Sequence, residues 1–314
     1  MADDRPPVSI VLPTRDRVAM LGRCLESLAA ARGPRDEVIV VDSCSRDPAV
    51  ASVAAAAGAR VLRCDRPGVD RARNVGWRAA QHDAVLFVDD DVVVDRGWAD
   101  AFAHALVQHP DAAFFTGRIE VPGHQADVDR PVAIKDEAEP AVLDADTRGT
   151  LGHSASLAVR RGVLEQLGGF DEHLGAGARF PSAPEVDLFD RVFAAGLTGR
   201  YEPSARAWHD QWRGRSDKVR LDWRYGVGSG ARVAKLLRTD RRRAGRVALD
   251  LLWHRGLRGA VGDLARGYEL GAVTKLVRAV GTLLGIALAL GVPVRDGHLA
   301  PRRALAYPRA RSSS

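Results

Sequence analysis

An α/β fold built on a mostly parallel sheet flanked by helices, followed by a helical and basic C-terminal extension, is what this sequence predicts. Three observations carry it. Short apolar runs alternate with amphipathic stretches over about the first ninety residues, the pattern of consecutive strand–helix units. Several of those runs stop at polar residues, most sharply in VLFVDDDVVVD, residues 85 to 95. The charge is also divided, with 23 Lys and Arg against 9 Asp and Glu in residues 201 to 314, but 23 against 31 in the first 200.

At 314 residues, 46% hydrophobic and 27% charged, the chain has the composition of a folded protein with one large core plus an extension, which excludes wholesale disorder. Cys24, Cys44 and Cys64 are odd in number and form no CxxC pair, so neither a disulfide framework nor a structural zinc site is indicated. Reduced thiols in a cytoplasm fit. The start, MADDRPP, has acids where an export signal needs a basic and then an apolar segment, so a cytoplasmic location is expected.

Residues 8 to 12 form the first strand, stopped by Pro13, and residues 18 to 31 an amphipathic helix with Leu21, Leu25 and Leu28 on one face. The run 37 to 41 is the second strand, with Asp42 at its carboxyl end. Residues 49 to 57 read as Ala-rich helix capped by Gly58, residues 60 to 62 as a third strand, 70 to 81 as helix and 84 to 88 as a fourth strand. Parallel strands joined this way place their ligands beyond the carboxyl ends, near a switch in strand order. Pro13-Thr14, Asp42 and Asp89 to Asp91 should therefore meet in one crevice.

From about 117 to 150 no period survives, and a long loop region is expected there with a strand near Phe114. Order resumes with SLAVR, 156 to 160, then a helix at 162 to 167, the turn Gly168-Gly169 and a helix from about 185 to 195. Beyond Trp208 the pattern is helical and basic without evident strands, which divides the chain into residues 1 to 210 and 211 to 314. The last six residues, RARSSS, are expected to fray.

Residues 279 to 294 carry no charge, yet sixteen residues of helix reach only about 24 Å against the roughly 30 Å of a bilayer core. Gly281, Gly285, Gly291 and Pro293 weaken that helix further. A membrane-surface contact or a buried packing helix is expected, rather than a span. The Arg-rich stretch 238 to 243 lacks interleaved aromatics and any recognised binding module, so no nucleic acid is expected as partner.

Three adjacent carboxylates repel one another unless water or a cation neutralises them. A solvated turn is the plainer explanation; a divalent cation, Mn²⁺ or Mg²⁺ completed by substrate phosphates, is the chemical one. The position of Asp89 and Asp91 behind an apolar strand, with other polar strand ends in the chain, favours the cation. Asp90, between them on extended backbone, is expected to point away.

In order along the chain, VSIVLPT (8 to 14), EVIVVDSCSRD (37 to 47), RARNVG (71 to 76), the strand ending in three Asp, LGGFDE (167 to 172) and EVDLFDR (185 to 191) resemble the motifs of family 2 glycosyltransferases. The resemblance spans roughly residues 8 to 210 and implies the Rossmann-like GT-A fold and a nucleotide-sugar donor, UDP- or dTDP-linked. It places Pro13, Thr14, Asp42 and Arg73 around the nucleotide, with Asp42 on the base or ribose. The plainer roles are a helix cap for Asp42 and a surface salt bridge for Arg73.

Asp89 and Asp91 match the family's DxD, Asp91 implied as the direct metal ligand and Asp89 as ribose contact or water-bridged ligand. An inverting transfer needs a base for the acceptor hydroxyl, and the family's catalytic Asp corresponds here to Glu185, with Pro184 in place of the preceding Glu. The extra methylene displaces the carboxylate by about 1 Å, a change that matters for proton transfer. A helix-start acid after an N1 proline, with Asp187 and Arg191 as an i,i+4 pair, is the structural alternative. The same departure leaves open a catalytically weak or inactive nucleotide-sugar binding protein.

His209 falls where related enzymes carry a metal-ligating His, and a packed or surface residue is its plainer role. Gly169, Phe170 and Asp171 resemble the acceptor-side loop, and Trp208 reads as core or acceptor platform. His153 receives no role. The implied acceptor is a hydroxyl, and the basic tail with residues 279 to 294 points to a lipid-linked one and to peripheral contact with the inner face of a membrane.

Overall fold

The computed structural model describes residues 5 to 125, 133 to 212 and 215 to 300. The C-terminal RARSSS and part of the 117 to 150 region lie outside the described residues.

β1 (Val8–Thr14), β2 (Glu37–Asp42) and β3 (Arg60–Arg63) alternate with α1 (Val18–Ala31), α2 (Ala49–Ala56) and α3 (Val69–Ala79). β1 is buried along its whole length, as a strand covered on both faces must be, which explains its unbroken apolar run. β4 (Ala84–Val88), the short β5 (Val92–Val94), α4 (Trp98–Gln108) and β6 (Ala112–Glu120) follow. Then come β7 (Ala141–Leu143), β8 (Ser156–Arg160), α5 (Arg161–Leu167), α6 (Pro184–Ala194) and β9 (Thr198–His209).

The sheet runs β3-β2-β1-β4-β8-β6-β9-β5, with β7 beside β9. β1 to β4, β6 and β9 share one direction while β5, β7 and β8 oppose it, so the sheet is mostly parallel as expected. Periodicity had missed β5, β7 and β9. β5 and β7 are three residues each, and β9 carries polar residues at alternate positions with Pro203 inside it.

Alternation along β1 splits the core. Ile10 and Leu12 pack with Leu21, Leu25 and Phe102 on one face, Val11 with Trp77, Phe170 and Phe189 on the other. Gly76 lets α3 lie directly on β1, because a Cβ there would stand 2.3 Å from Val11 Cγ1.

α7 (Arg215–Thr239) opens the helical part. α8 (Arg241–Leu249), capped by the Asp240 carboxylate on the Arg243 amide, runs through a π-helical stretch, Asp250–Arg258, into α9 (Gly259–Ala265). α10 (Glu269–Leu290) packs along α7. At 22 residues it reaches about 33 Å, so the length argument against a span does not hold, and by length and composition it suffices to cross a membrane. The expected segment 279 to 294 is not one unit, since the helix starts ten residues earlier and stops at Leu290.

Gly281 and Gly285, read in sequence as weak points, are where α10 touches α7. A Cβ at Gly285 would lie 2.1 Å from the Val227 carbonyl oxygen, and one at Gly281 2.8 Å from that of Trp223. Small residues at such a crossing let two backbones approach closely. Of the two expectations for this segment the packing helix is what the structure shows, with one face of α10 buried against α7 and the other exposed. A small hairpin, β10 (Val294–Arg295) with β11 (His298–Leu299), returns the chain to the α/β part, an element the sequence pattern did not show.

Candidate active site

β1 and β4 lie side by side where the strand order turns back, and their carboxyl ends open into a cavity of about 1030 Å³. Pro13, Thr14, Arg73, Asp89 and Asp91 line it, and so do Glu185 and His209 from distant parts of the chain. Asp42 is not in the lining. Its buried carboxylate accepts the Ser45 amide at 2.6 Å and pairs with Arg63, so both oxygens hold the turn after β2.

The three acids do not continue β4. Val92 N–H bonds back to the Asp89 carbonyl at 3.2 Å, making a turn, so the alternation of an extended strand does not apply. Asp90 therefore does not point away; it lines the cavity, accepting the Thr14 hydroxyl at 2.8 Å and Arg17 Nη1 at 2.8 Å. Burial pushes its carboxyl up to about 6, with Asp91 adding to the rise and Arg17 and Thr14 opposing it.

Arg73 is buried, 2.8 Å from Asp70 and 2.6 Å from Asp89. It is shared by two acids, and they separate. Burial pushes Asp89 up, but the guanidinium outweighs burial and holds it below the usual carboxylate range. Asp70, deeper, is raised by burial to about 8 despite Arg73. Among the described residues Arg73 Nε has no hydrogen-bond partner, a buried donor beside the cavity whose desolvation an anion would offset.

Asp91 meets His209 because β5 pairs antiparallel with the end of β9, Val92 opposite His209, and Asp210 N–H donates to the Asp91 carbonyl at 2.8 Å. His209 Nε2 then stands 3.5 Å from Asp91 Oδ1. Asp91 Oδ2 accepts the Trp212 indole N–H at 2.8 Å and Arg17 at 3.3 Å, with Arg17 4.7 Å over the Trp212 ring.

Two carboxylates and an imidazole are the donor chemistry a Mn²⁺ or Mg²⁺ ion accepts. Among the described residues no three His, Cys, Asp or Glu side chains converge closely enough to hold a metal ion by themselves. The Gln211 amide nitrogen lies 3.0 Å from His209 Nδ1 and donates to the His209 carbonyl at 3.0 Å, so Nδ1 accepts and the ring proton sits on Nε2, toward Asp91. An ion at Nε2 would require that proton to move to Nδ1 and the amide to turn, giving up its bond to the carbonyl.

Across the cavity, α6 begins at Pro184 after Ala183, whose φ of 65° is unusual for a residue with a side chain. Glu185 Oε1 is 3.8 Å from His153 Nδ1. The i,i+4 pair is present as well, Arg191 Nε to Asp187 at 3.1 Å.

The residues expected on the acceptor side are not brought to the cavity. Gly169 follows the left-handed cap Gly168 and abuts Asn74 and Trp77. Phe170 is buried edge-on to Phe87 at 5.1 Å, and the buried Asp171 binds Lys235 at 2.7 Å. Trp208 is half-buried on β9 with Arg206 over its ring at 5.5 Å. Here the LGGFDE motif fastens α3 and the helical part to the sheet.

The sequence profile of Glycosyl transferase family 2 matches residues 9–168. The chain belongs to that family.

The "Pre-mycofactocin glycosyltransferase" of Mycobacterium tuberculosis is 32% identical over 253 residues, 74% of this chain and 50% of its own length, so the chain spans half of that relative. Among solved structures, the mannosyltransferase PcManGT of Pyrobaculum calidifontis, in complex with GDP-Man and Mn²⁺, has a TM-score of 0.62 at 18% identity, covering 90% of this chain and 88% of that one. S. aureus TarS has a TM-score of 0.56 at 19% identity, covering 78% and 42%. These two likenesses carry the GT-A fold.

In this family 2 chain the sequence reading missed Arg17, Asp90, His153 and Trp212, all in the cavity lining. Arg17 had a signal, being in a polar run directly after β1. His153 had none, since its surroundings lack any period. Arg224, Arg232 and Arg255 from the helical part also line the cavity, so the basic region forms its far wall.

Proposed function

We propose that the chain is a glycosyltransferase, moving a sugar from a nucleoside diphosphate, UDP- or dTDP-linked, to a hydroxyl acceptor with inversion. The observation that carries this is that Asp89, Asp91 and Glu185 line one cavity at the switch point.

Thr14 and Arg73 line the donor side, and Arg73 Nε, without a partner among the described residues, suits a donor phosphate. Asp89, Asp91 and His209 would hold a divalent cation, which when bound neutralises the departing diphosphate. Glu185 takes the acceptor's O–H proton as that oxygen bonds to the anomeric carbon; the carbon–oxygen bond to phosphate breaks and its electron pair leaves with the diphosphate. His153, 3.8 Å away, positions the Glu185 carboxylate. On this reading the acceptor hydroxyl belongs to a lipid held at a membrane surface, which the exposed apolar helices support.

The test is calorimetric binding of UDP, dTDP and GDP with and without Mn²⁺, paired with transfer assays on Glu185→Gln. Donor binding should persist in the variant while transfer falls by about 10²- to 10⁴-fold. Failure of the native chain to bind any of the three sinks the proposal. The Pro184-Glu185 departure motivates a second reading, a nucleotide-sugar binder with little or no turnover; tight native donor binding without transfer or hydrolysis would favour it.

A further inference from the structure

We propose that α8, the π-helical stretch, α9 and α10 form one face that docks the protein on an anionic lipid bilayer, with the cavity opening beside it so that an amphiphilic acceptor is drawn from the membrane. The acceptor clause rests on the transferase reading; the docking face does not.

Leu249, Trp253, Leu257, Val261 and Leu264 are all exposed, between 47% and 59%. Their spacing of four, four, four and three puts them along one side of a continuous helix. A second stripe, Val273, Leu276, Val280, Leu283 and Leu288, runs along the outer side of α10, 42% to 56% exposed. The two helices touch where Gly256 meets Ala279 and Gly259 meets Lys275, so the stripes border one seam. Apolar side chains in such number on adjoining helices exceed what scattered surface residues produce.

The charge around the stripes selects the occupant. Residues 241 to 266 hold seven Arg and two Asp. Asp250 pairs with Arg255 at 2.6 Å, the buried Asp263 with Arg266 and Lys275 at 2.7 and 2.8 Å, and Arg243 and Arg246 with Asp190 and Asp146, which leaves Arg241, Arg242 and Arg258 as the cations without an ion pair among the described residues. A second copy would bring two such cationic faces together, whereas anionic headgroups complement them and the acyl region takes the stripes. A span by α10 is disfavoured by its own contacts, because Lys275 binds the Gly259 carbonyl at 3.0 Å and Gly281 and Gly285 lock the helix to α7. Leu249 belongs to the stripe and also lines the cavity, as do Leu251 and Arg255. A headgroup in the cavity therefore has a path for its tail into the bilayer.

Flotation of the purified full chain with phosphatidylglycerol-containing vesicles tests the face, with phosphatidylcholine vesicles alongside. The native chain should float with the anionic vesicles at low salt and bind neutral ones at least about tenfold more weakly. Leu257→Ser with Leu264→Ser should cut partitioning about tenfold or more, and Arg241→Gln with Arg242→Gln about fivefold per Arg. Donor binding and melting midpoint should not change in either, since none of these residues lines the cavity. A native chain that stays unbound at low salt overturns the proposal, as do variants that float like the native chain. A stable dimer that Leu283→Asp splits, with no flotation, also overturns it and assigns the face to a second copy. Loss of docking with donor binding intact leaves the transferase reading standing; docking without donor binding sinks that reading alone.

Discussion

Two clusters of three aspartates in this molecule do opposite work. Asp89, Asp90 and Asp91 sit at the cavity with Arg17 and Arg73 as their cations. Asp171, Asp187 and Asp190 sit between sheet and helices with Lys235, Arg191, Arg232 and Arg243, every contact between 2.5 and 3.1 Å and no side chain more than 13% exposed. The first cluster has fewer cations than acids and its acids line the cavity; the second has more cations than acids, and its acids are sealed from that cavity, which Arg232 and Arg243 alone of the cluster reach. A cluster whose acids are sealed and fully paired fixes one arrangement of two parts. An open cluster short of positive charge leaves room for a ligand that brings it.

The largest effect should come from breaking the sealed cluster. Lys235→Met leaves Asp171 without its cation and Asp187 with Arg191 alone, so unfolding in urea should show a loss of about 3 to 5 kcal/mol. A loss below about 1 kcal/mol would erase the distinction between the clusters.

Asp91→Asn at the open cluster should reverse that profile. Stability should stay within about 1 kcal/mol of the native value, because removing one of three adjacent negative charges relieves repulsion. Mn²⁺-dependent donor binding and transfer should drop on the order of 10²-fold. An unfolded Asp91→Asn protein would make the crevice acids structural instead.

Asp70, behind Arg73, gives the most discriminating effect. Burial raises its folded value to about 8, against an unfolded value of about 3.9. With the folded value the higher, the stabilising contribution is complete below about pH 4 and is lost as pH rises through 8. Asp70→Asn should therefore flatten the decline in urea midpoint between pH 5 and 9. Equal declines in both proteins would show that Arg73 serves Asp70 as fully as Asp89.

β1, β2, β4 and α1 were legible because each buries a continuous apolar run or stripe, and the end of β4 was legible because three acids follow its last apolar residue. β9 was not, since its apolar positions alternate only in part and its partners come from β5, β6 and β7. Asp90 was misplaced because a turn, not a strand, carries it. LGGFDE was readable as a motif, yet its role here as a fastener follows from Lys235 and Leu299, more than sixty residues downstream of it.

The sequence by itself determined the mostly parallel α/β core, the family, and the residue types at the strand ends, because apolar period and local motifs are short-range properties of the chain. Only the tertiary structure decided which of those residues share a cavity, that Asp42 faces a turn while Asp90 faces the crevice, and that glycines thought to weaken α10 let it lie on α7. Those outcomes depend on pairings between distant segments, β5 with β9 and α7 with α10, and no local pattern encodes the register of a contact whose two halves lie far apart along the chain.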